Sequence, residues 1–377
     1  MGLTTTRKGC CTLKKNKAKR NLLAATLVAT LLAAPMALSL PAEHVAAATT
    51  ISKLKTTATP FNIEGTRASI NTINKNNTTY IALRHLNNSL GLSTNYVKAT
   101  QVVKIEGRSR LVQIDLKNKA TTLNGQQLIF GAEPILQDNT TYLPLRFVLE
   151  RMGYTVSYEQ ATKLIGIHAI QENKLKINSE VIGADGDGKS LHVYYPIISG
   201  YENTTVQQKI NTFLKNETDK NIAAGSKQMD QVVEGNKQIL ADNPKATIRQ
   251  PSFDGHYTVT YNEQGRLSLY VDYHIYSGGA HGDTARVPYT FDLTTGNLLS
   301  LKEIANSNEK YVSIINDTIK SQIKSRIMPL NPPFQTIEAD RDYFLNHNGV
   351  VIYFTQNEYT SYAEGMPEFV IPYTDFQ

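Results

Sequence analysis

Thr78-Thr79-Tyr80-Ile81-Ala82-Leu83-Arg84 recurs 62 residues later as Thr140-Thr141-Tyr142-Leu143-Pro144-Leu145-Arg146. The same offset aligns Gly91 with Gly153, Tyr96 with Tyr158, Ala99-Thr100 with Ala161-Thr162, and Ile105 with Ile167. A register held from Thr78 to Ile105 means that one supersecondary unit is used twice. Each unit predicts a short strand, an amphipathic helix and a strand pair. In the second copy Leu145, Val148, Leu149 and Met152 share one helical face, and Gly153 is placed to stop the helix. Tyr154, Val156 and Tyr158 then alternate as a strand; after a turn at Gln160-Ala161-Thr162, the partner strand carries Leu164, Ile165 and Ile167. Arg84 and Arg146, at matching repeat positions, are expected to bind internal carboxylates or backbone groups.

Tyr142-Leu143-Pro144-Leu145-Arg146-Phe147-Val148, followed by Gly153 and Ser157-Tyr158, resembles the copper amine oxidase N-terminal-like domain, a stalk module repeated in many exported Firmicute proteins. The resemblance covers residues 63–170; in the first copy Ala82 replaces the proline. It implies a spacer or attachment module without copper chemistry, because in the oxidases the metal and quinone cofactor belong to a separate catalytic domain.

The N-terminus reads as an export signal. Arg7, Lys8, Lys14, Lys15, Lys17, Lys19 and Arg20 precede the apolar run Asn21 to Leu40 and the small-residue pattern Val45-Ala46-Ala47-Ala48. Residues 1–48 are therefore expected to be a signal peptide; the alternative is an uncleaved membrane anchor, against which Pro35 speaks. This leader holds seven of the 39 basic residues and one of the 33 acidic ones, so the remainder carries 32 of each. The formal charge of +6 thus belongs to the leader and gives no footprint for nucleic acid. Cys10 and Cys11 also lie there, so the mature chain has no disulfide and must be held by its core, as is common in exported proteins of Gram-positive bacteria.

The expected organisation after the leader is a linker at 49–62, the two-repeat stalk at 63–170, a second linker at 171–188, and a further domain region at 189–377. The fold class is α+β: a small repeated α/β stalk domain, then an α+β domain with an antiparallel sheet and packed helices. Asp185 and Asp187 alternate as calcium ligands can, but Lys189 and Pro196 stand where an EF-hand loop needs its later acids, which leaves a hairpin turn. Tyr194 to Ile198 predicts a strand leading to a helix near Asn203, with Val206, Ile210, Phe213 and Leu214 on its apolar face; Asn216 to Asn243 continues as a polar helical stretch. Tyr257–Tyr261, Leu267–Tyr276 and Val287–Leu293 read as antiparallel strands, and a later helix is expected to bury Ile314, Ile315, Ile319, Ile323 and Ile327. Strands at Gly349–Thr355 and Glu368–Tyr373 complete the chain.

Between two of these strands lies Tyr276-Ser277-Gly278-Gly279-Ala280-His281-Gly282. Its glycines permit positive φ and close approach of another molecule, which a plain hairpin does not require. Catalysis here would draw on Asp272, His274 and His281, two of them on one strand face, for metal binding or acid–base work. The spacing matches no metalloenzyme motif, and Ser277 lies in no nucleophile motif. The competing expectation is a shaped turn in which His281 clamps free backbone groups while Tyr276 and Ser277 face a partner. Tyr359 and Tyr362 read either as core-edge aromatics or as exposed anchors.

The same loop, with Tyr195-Pro196, Phe291-Asp292-Leu293, Val351 to Phe354 and Tyr362 to Tyr373, resembles the paired domains of unknown function in the extracellular part of RsiV-type anti-sigma factors, and similar domains that precede the catalytic domain of PdaC-type peptidoglycan deacetylases. The resemblance covers residues 174–375. It implies a binding module, located outside the cell or in the wall, for a wall polymer or a secreted protein such as lysozyme. Tyr276, Ser277, Gly278, Gly279, His281, Tyr359 and Tyr362 are then the ligand-binding candidates, with no catalytic set, metal set or cofactor implied and membrane contact only if the leader is kept. A purely structural wall or surface-layer component is the remaining alternative. The export reading is checked by N-terminal sequencing of the protein recovered from a Gram-positive host: a mature chain beginning near Thr49 in the medium or wall fraction is expected, and a membrane-bound chain retaining Met1 would refute cleavage.

Overall fold

The computed structural model describes residues 53–377 except Phe130 and Ala132, and leaves the side chain of Asn88 undescribed. The leader, with Cys10 and Cys11, lies outside the described residues. Residues 55–377 form one compact unit.

The repeat units fold as their pattern dictates. The first contains β3 (Thr78–Ala82), α1 (Leu83–Leu90), β4 (Ser93–Val97) and β5 (Val102–Gly107), preceded by β1 (Thr56–Ile63) and β2 (Thr66–Lys75). After β6 (Arg110–Asp115), β7 (Thr121–Leu123), β8 (Gln126–Gln127) and β9 (Ile135–Gln137) comes the second: β10 (Thr140–Pro144), α2 (Leu145–Arg151), β11 (Tyr154–Glu159) and β12 (Leu164–Ala169). Strands β3 and β10 pair antiparallel with Leu143 opposite Ile81, Tyr142 opposite Ala82 and Pro144 opposite Tyr80. At an offset of 62, Ile81 thus faces its own counterpart and the flanking pairs exchange places, so the two copies meet about a local twofold axis. Arg108 donating to the Ile170 carbonyl and Arg110 paired with Glu172 span the same offset. Leu86, Val103, Ile105, Leu143, Leu145, Val148, Leu149 and Met152 fill the shared core. Gly153 takes φ +83° just after α2, as the helix stop requires.

Two stretches expected as linkers are strands. Residues 56–62 belong to β1, which lies between β2 and β12, parallel to the latter, and buries Phe61. Residues 176–186 form β13 (Lys176–Gly186), the edge strand of a five-stranded sheet. An edge strand with one solvated face needs little apolar sequence, so its pattern is weak. Asp187 and Gly188, both at positive φ, make the hairpin turn into β14 (Lys189–Ser199).

That sheet runs β13, β14, β15 (Ser252–Glu263), β16 (Arg266–Tyr276), β17 (Asp283–Asp292). Leu267, Leu269, Val271 and Tyr273 of β16 point to one core, packed by α3 (Thr204–Asp242). The two helical stretches read from the sequence are this one helix of 39 residues, capped by the Asn203 side chain. A stripe of Val206, Ile210, Leu214, Thr218, Gly225, Met229 and Val233 lies against the sheet, narrow enough that the helix reads as polar beyond Asn216.

The remaining layer holds α4 (Leu301–Ile304), α5 (Tyr311–Arg326), β18 (Tyr343–Asn346), β19 (Gly349–Tyr353) and β20 (Glu368–Pro372), the strands forming an antiparallel sheet in that order. Ile315 and Ile319 are fully buried, and Ile314 and Ile323 pack partly buried beside them. Ile327 departs from the expected core: the helix ends at Arg326, Ile327 takes φ +52° as the cap, and its side chain is 88% exposed. Among the described residues no helix is long and apolar enough to cross a membrane.

The long helix supplies a paired test. A Cβ on Gly225 would come within 2.5 Å of the Phe253 ring, whereas one on Gly235 meets nothing within 4 Å. Gly225→Val should cost about 1–3 kcal/mol by overpacking, and Gly235→Ala should add up to about 1 kcal/mol by helix propensity. Denaturant midpoints read both, and equal responses at the two sites would contradict the packing described.

Candidate functional site

The loop from Ser277 to Gly282 joins β16 to β17, and its shape follows from two glycines. Gly278 takes φ +82°, which an L side chain rarely adopts. At Gly282 a Cβ would lie 2.4 Å from the Ile275 carbonyl oxygen and 2.5 Å from the His274 ring, so only glycine fits. The Tyr276 hydroxyl donates to the Gly279 carbonyl at 3.0 Å, and Arg249 donates to that hydroxyl at 3.1 Å and to the same carbonyl at 3.0 Å. From the other side the Tyr362 hydroxyl donates to the Gly282 carbonyl at 2.8 Å. The Thr284 amide donates to the side-chain carbonyl of Gln356 at 3.1 Å, tying the start of β17 to the segment after β19.

The clamp is therefore not His281. Its Nδ1 lies 3.4 Å from the adjacent Gly282 carbonyl, and the residue is exposed. Its ring stacks on Tyr362, with centroids 4.0 Å apart and planes at 28°. A tyrosine hydroxyl on a long arm reaches the Gly282 carbonyl at 2.8 Å, while the short imidazole arm makes only a long contact of 3.4 Å to it. Ser277, Gly279, Ala280 and His281 are the exposed part of the loop, while Tyr276 is half-buried and engaged.

Of the candidate residues, Tyr276, Ser277, Gly278, Gly279, His281 and Tyr362 are brought together here. Tyr359 is not. It packs on Phe354 and Phe334, with ring centroids 4.4 and 5.7 Å away, as a core-edge aromatic of the α5 layer. Arg84 is exposed and has no ion-pair or hydrogen-bond partner among the described residues, because α1 has no acid one turn on; its counterpart Arg146 bonds Glu150 at 3.1 Å and the Val156 carbonyl.

The set Asp272, His274 and His281 does not assemble. Asp272 and His274 share a strand face, as period two requires, but both Asp272 oxygens are held by Arg286 at 2.8 and 2.9 Å. The His274 ring bonds the Thr284 hydroxyl at 3.0 Å. Among the described residues no group of three or more His, Cys, Asp or Glu side chains is placed to hold a metal ion. Arg286 also pairs with Glu368 at 2.7 Å and lies 3.8 Å over the Tyr270 ring, with Phe344 and Tyr353 nearby. Burial by itself disfavours its charge, but the hydrogen bonds and charge of Asp272 outweigh that and raise its pKa further. Arg341 grips Glu358 at 2.6 and 2.7 Å and the Tyr353 carbonyl at 2.6 Å, shaping the segment that carries Gln356. Burial pushes the Glu358 carboxyl up, and the Arg341 bonds more than reverse this, leaving it below its ordinary value.

Arg249 and Arg286 escaped the sequence reading. A signal existed for the second: a hairpin centred on Gly279 puts residue 272 opposite 286, and the register does so. Arg249 comes from an irregular segment after α3, and no local pattern joins it to the loop.

Three family models match parts of the chain. Residues 62–167 match the copper amine oxidase N-terminal domain, residues 184–284 the model described as deacetylase PdaC, and residues 302–374 a protein of unknown function, DUF3298. The stalk and PdaC resemblances drawn from the sequence are thus shown, and the second half divides between two matches. No curated protein matches the chain. Among solved structures, a member of the DUF3298 family from Bacteroides fragilis is similar at 14% identity, covering 54% of this chain and 92% of that one with a TM-score of 0.44. A DUF3298 family protein from Pseudomonas aeruginosa is similar at 14% identity, covering 53% and 91% with a TM-score of 0.36.

Replacing Arg286 by Met leaves Asp272 uncompensated between the sheets, its side chain only 18% exposed. The loss should be about 3–5 kcal/mol in urea unfolding. A loss below about 1 kcal/mol would place the pair among solvent-screened surface bridges.

Proposed function

We propose that this chain is an exported, non-catalytic protein of the cell envelope, in which the two-repeat stalk presents a binding module for a wall polymer or a secreted protein such as lysozyme. The observation that carries the proposal is the braced loop. Arg249, Tyr276 and Tyr362 hold its backbone in one shape, and Ser277, Gly279, Ala280 and His281 stand exposed on top. A surface rigid before contact loses little conformational entropy on binding, which suits recognition. The His281 ring laid on Tyr362 adds a flat aromatic face of the kind that anchors interfaces.

Acid–base chemistry at this position finds less support. The one carboxylate on the strand is spent on Arg286, whose other contacts bind the two sheets together, so releasing it would loosen the fold. The family resemblances accord with binding, since in the deacetylases similar domains accompany chemistry done by a separate domain.

Calorimetric titration of the purified chain with lysozyme, and co-sedimentation with purified peptidoglycan, test the proposal. Saturable binding to one of them is expected, at least about fivefold weaker in His281→Ala. Absence of binding to both at high micromolar concentration would sink the proposal and favour a purely structural role.

A further inference from the structure

A second site lies away from the loop. Between the repeats and the β13–β17 sheet opens a cleft of about 750 Å³, within the size range of small-ligand sites, and none of residues 276–282 lines it. Its walls come from both halves of the chain: the Gly107–Arg110 turn, the end of α2 and β11 on one side, and residues 257–260 and 346–348 on the other. The floor is rigid. The Gln126 amide donates to the Tyr257 carbonyl at 2.8 Å and accepts from the Tyr257 amide at 2.9 Å, copying a β-ladder pair, and Asn124 donates to the Ile177 carbonyl at 2.8 Å.

The charge of the lining is unbalanced. Arg108, Arg110, Arg146 and Arg151 face two carboxylates, Glu150 and Glu172. Glu172 serves both Arg108 and Arg110, and the Nε of Arg108 is buried without a hydrogen-bond partner. Arg146 takes Glu150. Among the described residues Arg151 has no carboxylate in ion-pair contact; it donates to the Phe147 carbonyl at 3.1 Å and its guanidinium lies 3.9 Å over the Phe147 ring. A guanidinium that is half-buried, held over an aromatic ring and without a carboxylate partner among the described residues is pre-organised to receive an oxyanion through its remaining N–H groups. His347 at the opposite wall already bonds Glu263 at 2.9 Å, which leaves the arginine side as the charged one.

We propose that this cleft binds a small anionic ligand, recognised through carboxylate or phosphate groups by Arg151, with Arg146 also on the lining. The proposal stands apart from the loop and from the partner proposed for it: either site can fail without the other. Binding should weaken with salt, because the cleft opens to solvent and its cations are partly screened.

The test is calorimetric titration of the purified chain with pyrophosphate in one arm and citrate in the other, at low ionic strength. One saturable site per chain is expected in at least one arm, and the arm that binds distinguishes a phosphate-bearing from a carboxylate-bearing ligand. Arg151→Gln should weaken it about tenfold or more, while His281→Ala leaves it unchanged. If Arg151→Gln fails to fold by circular dichroism, Arg146→Gln decides, since that side chain is 55% exposed and its removal buries no charge. No saturable binding in either arm, or unchanged affinity in the deciding folded variant, overturns the proposal.

Discussion

The Arg286 guanidinium sits where the two sheets of the second half meet, and the arrangement of that half depends on it. It closes a bidentate pair with Asp272 across the β16–β17 ladder and reaches Glu368 on β20, while Tyr270, Phe344 and Tyr353 enclose it. A cation taken this far from water is tolerated only when its donors are met by acceptors and its faces by rings. Meeting both conditions fixes the β16–β17 register, and therefore the loop at its end. It also docks the β18–β20 sheet onto the face of β16 that Ser268, Tyr270 and Asp272 present. The Ser268 hydroxyl extends the junction, bonding Thr290 at 2.8 Å and accepting from the Leu345 amide at 3.0 Å.

The two halves are joined by a different device. Gln126 and Asn124 offer amide side chains to backbone groups of β15 and β13, so the polar edges that would otherwise be left unpaired are satisfied across the junction. The repeat places its own polar groups about a local twofold, Arg108 and Arg110 meeting residues 62 positions on. Glu172 is shared by Arg108 and Arg110 at the edge of the cleft, and Arg151 at the end of α2 is the arginine there that pairs with neither lining carboxylate. The loop and the cleft are thus consequences of separate constraints, one a hairpin braced by tyrosines, the other a junction lined by more cations than carboxylates.

Much of this was legible before any coordinates. The offset that aligns Tyr80 with Tyr142 announced the duplicated strand, helix and strand pair, and both copies fold that way. The helical face of Leu145, Val148, Leu149 and Met152 is buried as its spacing requires. The glycines of the loop were legible as backbone requirements, since Gly278 takes positive φ and Gly282 has no room for a Cβ. What the pattern missed has separate physical causes. β1 and β13 have few large apolar residues because neighbours supply the pairing, Ile327 leaves the stripe where the helix cap turns the chain, and Tyr359 packs on Phe354 and Phe334 rather than joining the loop.

By itself the sequence determined the local periods of the strongly patterned segments: which residues share a face, and that one unit occurs twice. Those depend on the backbone geometry of a few consecutive residues, which side-chain pattern reports directly. Only the tertiary structure decided which tyrosine holds the loop, which cation neutralises Asp272 and which arginine is left without a carboxylate. Such pairings depend on side-chain reach and on how elements pack, which no local period reports, and burial makes the unpaired choice costly enough to exclude the alternatives.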